Sequence, residues 1–207
     1  CEALAYAHAL DHPVFHRDIK PANFLLDRRG RAKLADFNLA YEVRSQLASS
    51  SLVATGGTAT YSSPEQLSRK PATSAQDIWS LGVTLYELSC GHPPFHGVLH
   101  EVLYQILSGP PEPLDGAPPW LAELIARCLE RDPTARPSAS ELGQLLREGA
   151  ERAERQAEAE AERQAAELAR KQAEEAARRA AAELARQESE REAAEAAVKQ
   201  ELAAIKN

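Results

Sequence analysis

The sequence contains no methionine, only three cysteines, and aromatic residues at just 5% of its 207 positions. Cys1, Cys90 and Cys128 are odd in number and far apart, with no Cys-x-x-Cys pair. That argues against a disulfide framework or a zinc knuckle and fits a reducing compartment. No apolar run approaches the roughly 18–20 residues needed to cross a bilayer, and no secretory pattern is visible. The expectation is a cytoplasmic protein, with an anchor outside this piece left open. A formal charge of −7 without a basic stripe argues against a nucleic-acid partner. With no methionine and a first residue inside a helical pattern, the sequence reads as a fragment. What it lacks need not be lacking from a longer chain.

What is there falls into two unlike halves. Every aromatic residue lies at or before Trp120, and neither glycine nor proline occurs after Gly149. The boundary is expected at 147–150, giving a globular domain over 1–147 and an Ala/Glu/Arg-rich helical or coiled-coil linker over 148–207. In the first half, punctuation sets the elements. Residues 3–10 read as a helix stopped by Asp11-His12-Pro13. Residues 24–26 and 32–35 read as two strands joined by the Asp27-Arg28-Arg29-Gly30 turn. A loop of about thirty residues follows over 36–65, a length usually functional or disordered. Helices are expected over 77–91 with Ser74 as cap, over 98–108, and from Pro119 to about residue 130. A fourth begins behind a Ser138/Glu141 capping box.

One constellation carries chemistry. His16-Arg17-Asp18-Ile19-Lys20-Pro21-Ala22-Asn23 is followed, 13 residues after Asn23, by Asp36-Phe37-Asn38. In order and spacing this resembles the catalytic loop and metal-binding motif of eukaryotic-type (Hanks-type) protein kinases, with Lys20 resembling the serine/threonine class. The resemblance extends to Gly57-Thr58-Ala59-Thr60-Tyr61-Ser62-Ser63-Pro64-Glu65, to Asp77-Ile78-Trp79-Ser80-Leu81-Gly82, to Gly91-His92-Pro93-Pro94-Phe95 and to Arg131-Asp132-Pro133-Thr134-Ala135-Arg136-Pro137. Together these cover residues 1–147. The Ala/Glu/Arg bias and the Pro64-Glu65-Gln66 ending resemble bacterial members.

The resemblance implies a mainly α-helical C-terminal lobe with a small β-hairpin and an activation loop, lacking the N-terminal lobe. It implies ATP and Mg²⁺ as cofactors and a protein substrate bearing Ser or Thr. Asp18 would orient the substrate hydroxyl and accept its proton, while Lys20 would place a cation beside the transferring phosphoryl group. Asn23 and Asp36 would offer oxygen ligands to magnesium. Thr58 would bond near Asp18 and Lys20. Glu65 would pair with Arg136 in a buried bridge, and Asp77 would hold the backbone of the catalytic loop. His16 and Phe37 would be structural members of the two motifs. Arg17 would receive a phosphate on the loop, for which Ser49, Ser50, Ser51 and Thr55 are candidate acceptors.

Departures accompany the matches. Asn38 stands where the family has glycine, and asparagine tolerates positive φ better than most residues. Ser63 replaces an alanine. No glycine-rich loop, strand lysine or partnering glutamate is found, so this piece is expected to bind ATP poorly and to require the missing lobe in cis. His96 and His100 are spaced i, i+4, and His8, His12 and His16 repeat that spacing, but neither set is read as metal-binding. Residues 150–206 form helix-favouring sequence with Glu-to-basic pairs at Glu151–Arg155, Glu167–Lys171, Glu174–Arg178, Glu175–Arg179 and Glu195–Lys199. A sparse apolar seam of Leu184, Val198, Leu202 and Ile205 leaves a solvated helix, a weak self-associating coiled coil or disorder open, before an unknown downstream domain. Two other readings remain: a pseudokinase or binding module, and a scaffold dimerising through the tail.

Overall fold

The structure is a computed structural model that describes residues 1–37, 41–42 and 59–205, the side chains of 41–42, 194–195 and 197–205 excepted. It divides into two compact units, Cys1–Glu151 and Arg152–Asn207. In chain order the elements are α1 (Glu2–His8), β1 (Val14–Phe15), β2 (Phe24–Leu26), β3 (Ala32–Leu34), β4 (Tyr41–Glu42), α2 (Pro64–Leu67), α3 (Ser74–Cys90), α4 (Leu99–Leu107), α5 (Pro119–Cys128) and α6 (Ala139–Ile205). Single 3-10 turns lie at Pro21–Asn23, Ala59–Tyr61 and Pro133–Ala135. The first unit is mostly helical and carries two small antiparallel ribbons, β1–β4 and β2–β3.

Helix α3 is the axis of the first unit. Residues 76–84 are buried without a break, including the polar Gln76, Asp77, Ser80 and Thr84. Ile78 and Leu81 join Leu4, Ile19, Leu124, Cys128, Ala139 and Leu142 in one core. Trp79, Val83 and Tyr86 join Phe95, Val102, Ile106, Ile125 and Leu129 in a second. Ser80 Oγ donates to Tyr61 O at 2.7 Å and Thr84 Oγ1 to Ser80 O at 2.8 Å, whereas Gln76 Oε1 and Trp79 Nε1 are buried without a hydrogen-bond partner among the described residues. Gly82 lets α5 approach closely, since a Cβ there would stand 2.6 Å from Cys128 Cβ. The helix ends on Gly91 at φ 87°, where only glycine turns left-handed at no cost. Its cap position is Thr73, without a side-chain bond, one position before the Ser74 cap assigned from sequence, and Ser74 is already the first helical residue.

Local chemistry shapes the other elements. In the β2–β3 turn, Asp27 accepts from the backbone N–H of Arg29 at 2.8 Å and of Arg31 at 3.0 Å. The Arg31 and Arg29 N–H groups and the Arg31 guanidinium hold the Asp27 carboxyl below its ordinary range. Gly30 completes the turn at φ 75°. At the start of α6, Ser138 Oγ accepts from Glu141 N–H at 3.1 Å, whereas the Glu141 carboxylate turns to Arg127 at 2.7 Å. The box expected there is half used, because a cation lies within reach. The two helical stretches expected on either side of Gly149 are one helix. Gly149 is a packing residue within it, for a Cβ would meet the Trp120 ring.

The second unit is the remainder of α6. Its described side chains are exposed, Ala153 excepted, and include Leu168 and Leu184. Glu167–Lys171 pairs at 2.7 Å and Glu175–Arg179 at 2.5 Å. Glu174 pairs with Arg170 at 3.4 Å rather than with Arg178, a turn in either direction being equally near on a helix. Glu195 and Lys199 lie outside the described side chains.

Candidate active site

The segment 16–23 is shaped by its own residues before anything else touches it. Ile19 is fully buried in the first core, so Asp18 and Lys20 on either side of it turn the other way along an extended chain. Lys20 is extended, φ −159° and ψ 161°, as a residue before proline tends to be. Pro21 then opens the 3-10 turn that carries Asn23 back toward Asp18. The result is a tight group. Lys20 Nζ donates to Asp18 Oδ2 at 2.8 Å. Asn23 Nδ2 donates to Asp18 O at 2.6 Å and to Asp18 Oδ2 at 3.2 Å. Asn23 is buried, while Asp18 and Lys20 are part-exposed, so the carboxylate is fixed yet reachable.

Asp36 is delivered by the hairpin. Ala35 N–H donates to Asn23 O at 2.8 Å, and Ala35 O accepts from His16 Nε2 at 3.0 Å. Residue 36 therefore leaves β3 at the point where the strand is bonded to both ends of the 16–23 segment. Asp36 adopts φ 67° and Arg17 φ 66°, left-handed values that cost non-glycine residues of order 1–3 kcal/mol each. His16 is buried, and with Nε2 donating, its Nδ1 faces the Asp18 N–H at 3.4 Å. Phe37 packs edge-on against the His16 ring, centroids 4.4 Å apart.

The strain at Arg17 is held from α3. Asp77, 0% exposed, accepts from His16 N–H at 2.9 Å through Oδ2 and from Arg17 N–H at 2.8 Å through Oδ1. His8 Nε2 adds a third contact to Oδ2 at 2.8 Å. A carboxylate this deep is tolerable only because each oxygen is bonded. His8 was missed by sequence reasoning, and no local signal marks it, since 69 residues separate it from Asp77.

Two further anchors tie down the far end of the long loop. Glu65 and Arg136 form a two-pronged bridge, Nη1–Oε1 2.6 Å and Nη2–Oε2 3.0 Å, with side chains 5% and 0% exposed. Arg136 also donates to Glu130 O at 2.7 Å and Ala75 O at 2.8 Å and lies over the Trp79 ring at 4.9 Å. Tyr61 donates to Glu87 at 2.5 Å, and burial together with that carboxylate pushes its hydroxyl pKa upward. Helix α2 begins with a full capping box: Ser63 Oγ accepts from Gln66 N–H, and Gln66 Oε1 accepts from Ser63 N–H. Gln66 Nε2 then reaches Arg17 O at 3.4 Å. Ser63, read from sequence as a minor replacement, is thus the cap of a helix that touches the 16–23 segment. The Ser-x-x-Gln spacing was the signal available for it. Asn38, Ser49, Ser50, Ser51, Thr55 and Thr58 lie outside the described residues.

An oxygen-rich donor set at one end of a hairpin, a lysine-bonded carboxylate and a strained, clamped loop invite comparison with known proteins. The family model for the protein kinase domain matches residues 1–145. The chain is 43% identical over 158 residues to the serine/threonine-protein kinase PkaA of Streptomyces coelicolor, covering 72% of this chain and 28% of that one. It is 37% identical over 147 residues to mitogen-activated protein kinase kinase 3 of Arabidopsis thaliana, covering 68% and 27%. It is 39% identical over 132 residues to the dual specificity mitogen-activated protein kinase kinase mek-1 of Caenorhabditis elegans, covering 61% and 37%. The chain spans about a quarter to somewhat over a third of the length of these relatives. It belongs to the protein kinase family.

Proposed function

We propose that the chain is the C-terminal-lobe portion of a serine/threonine protein kinase, acting with an N-terminal lobe in cis on Ser or Thr hydroxyls of a protein substrate. The observation that carries this reading is the Asp18–Lys20–Asn23 group, with one carboxylate oxygen held at 2.8 Å by an ammonium and at 3.2 Å by an amide. Asp18 is the base: part-exposed and oriented, it can align a hydroxyl and take its proton as that oxygen attacks phosphorus. Lys20 holds the carboxylate in place and sets a positive charge beside the leaving and entering oxygens.

The donor set fits magnesium. Asn23 spends its Nδ2 on Asp18, so its amide oxygen is the ligand-bearing atom, and Asp36 adds a carboxylate; both are hard oxygen donors. When bound, the magnesium–ATP complex supplies the transferable γ-phosphoryl group and neutralises its charge. Leu25 and Leu26 leave exposed apolar surface on the same hairpin, which a second lobe and an adenine ring would cover.

The test joins the upstream sequence to this chain and measures transfer from labelled ATP to a serine- or threonine-bearing protein. Asp18→Asn should lower the rate by about 10²–10⁴-fold with unfolding unchanged. An undiminished rate in that variant would remove the assigned role.

A further inference from the structure

Among the described residues outside the site just described, one cluster of metal-ligating side chains stands out. The i, i+4 pair His96 and His100 does not form it; the fold brings His92 and His96 to Glu112 instead. The three residues each offer one ligand atom, all within 4.8 Å of one another. Glu112 Oε2 is 3.5 Å from His96 Nδ1 and 3.9 Å from His92 Nδ1. In a tetrahedral shell with bonds of about 2.0–2.1 Å, neighbouring ligand atoms stand about 3.3 Å apart. Small side-chain rotations close the remaining difference.

The backbone under these ligands is held by the core, which separates the cluster from a chance meeting of surface side chains. Phe95, next to His96, is buried and stacked on Trp79 with ring planes 4° apart. Gln105 clamps His96 from both sides, accepting from its N–H at 3.2 Å and donating to its carbonyl at 3.0 Å. The His92 ring packs edge-on to Tyr86, whose hydroxyl donates to Pro113 O beside Glu112. Glu112 N–H reaches Pro94 O at 3.4 Å. The His92 Nδ1 contact to Pro93 O, 3.3 Å, is weak enough to be exchanged for a metal bond.

We propose that His92, His96 and Glu112 form a surface site for a divalent transition-metal ion, zinc by preference, with water completing the shell. Two imidazoles and one carboxylate suit zinc and cobalt rather than magnesium, so this site is chemically distinct from the Asn23/Asp36 oxygen set. The three side chains are each about half exposed, so an ion can enter without rearrangement. Binding would fasten the turn after α3 to the segment after α4.

The test titrates the full chain with zinc and with cobalt(II). One ion per chain should bind, cobalt giving the visible absorption of a tetrahedral site, and zinc should raise the thermal midpoint. His92→Ala and His96→Ala should each weaken binding at least tenfold while leaving the circular dichroism of the apo chain unchanged. Glu112→Gln should weaken it too, and His100→Ala should bind as the parent does. Absence of saturable binding at about 0.1 mM zinc overturns the proposal and leaves only a histidine–glutamate ion pair. Binding that survives His96→Ala, or is lost equally in His100→Ala, also overturns it.

Discussion

The two units of this chain use the same charged residues to opposite ends. In Cys1–Glu151, the Glu65–Arg136 bridge is sealed from water and shares its guanidinium with three carbonyls and a tryptophan ring. In Arg152–Asn207, Glu175 and Arg179 pair at 2.5 Å with both side chains mostly in solvent. A sealed pair anchors structure because losing one partner strands the other charge. A solvated pair is replaceable, since water competes for both groups. Similar distances therefore carry very different energies.

Arg136→Ala should break that contrast most visibly. It leaves Glu65 buried without its cation and should cost about 3–5 kcal/mol, read as a lowered urea midpoint. A loss under 1 kcal/mol would mean the bridge is no more than a surface pair. Gly82→Ala comes next. Alanine favours helix by about 1 kcal/mol over glycine, but the added Cβ meets Cys128 Cβ at 2.6 Å, and overpacking costs about 1–3 kcal/mol. Net destabilisation, small but clear in thermal melts, is expected; stabilisation would show that α3 and α5 part easily.

Cys128 supplies a pH-dependent prediction. Burial pushes its thiol up to about 12, from 9.0 in an unperturbed group. Folding favours the neutral thiol, so this contribution is whole below about pH 9 and is lost as pH rises toward 12. Tyr86, also pushed up to about 12 by burial, titrates in the same window. The readout is therefore the difference in urea midpoint between the parent chain and Cys128→Ala, which should narrow above pH 9. Alkylation at pH 8 should modify Cys1 and Cys90 and spare Cys128. Arg179→Ala, in the second unit, should change helicity by no more than about 0.5 kcal/mol, and high salt should erase even that. A larger effect would point to helix–helix association through the tail.

Legibility in the sequence followed chain distance. Asp18, Lys20 and Asn23 lie within six residues, and extended geometry, a proline and a buried isoleucine suffice to bring them together. The Asp27 turn and the Gly91 stop are equally local. The β1–β4 ribbon escaped notice because two-residue strands leave no periodicity to read, and Pro13 beside the first suggested only a turn. Helix α2 straddles the end of the stretch read as loop over 36–65 and was missed, although Ser63 and Gln66 carried its capping signature.

By itself, the sequence determined the order and spacing of the chemical groups, the hairpin between Asn23 and Asp36, and the change from mixed composition to a charged helix at about Gly149. These depend on backbone preferences and hydrogen bonds that span a few residues. Only the tertiary structure decided that His8 and Asp77 share a proton-bonding contact, that Gln66 reaches Arg17, that Gly149 seats Trp120, and that Glu112 stands with His96. Those meetings close loops of roughly 16 to 69 residues. Their entropy is offset by burying two cores around α3, so no pattern along the chain could announce them.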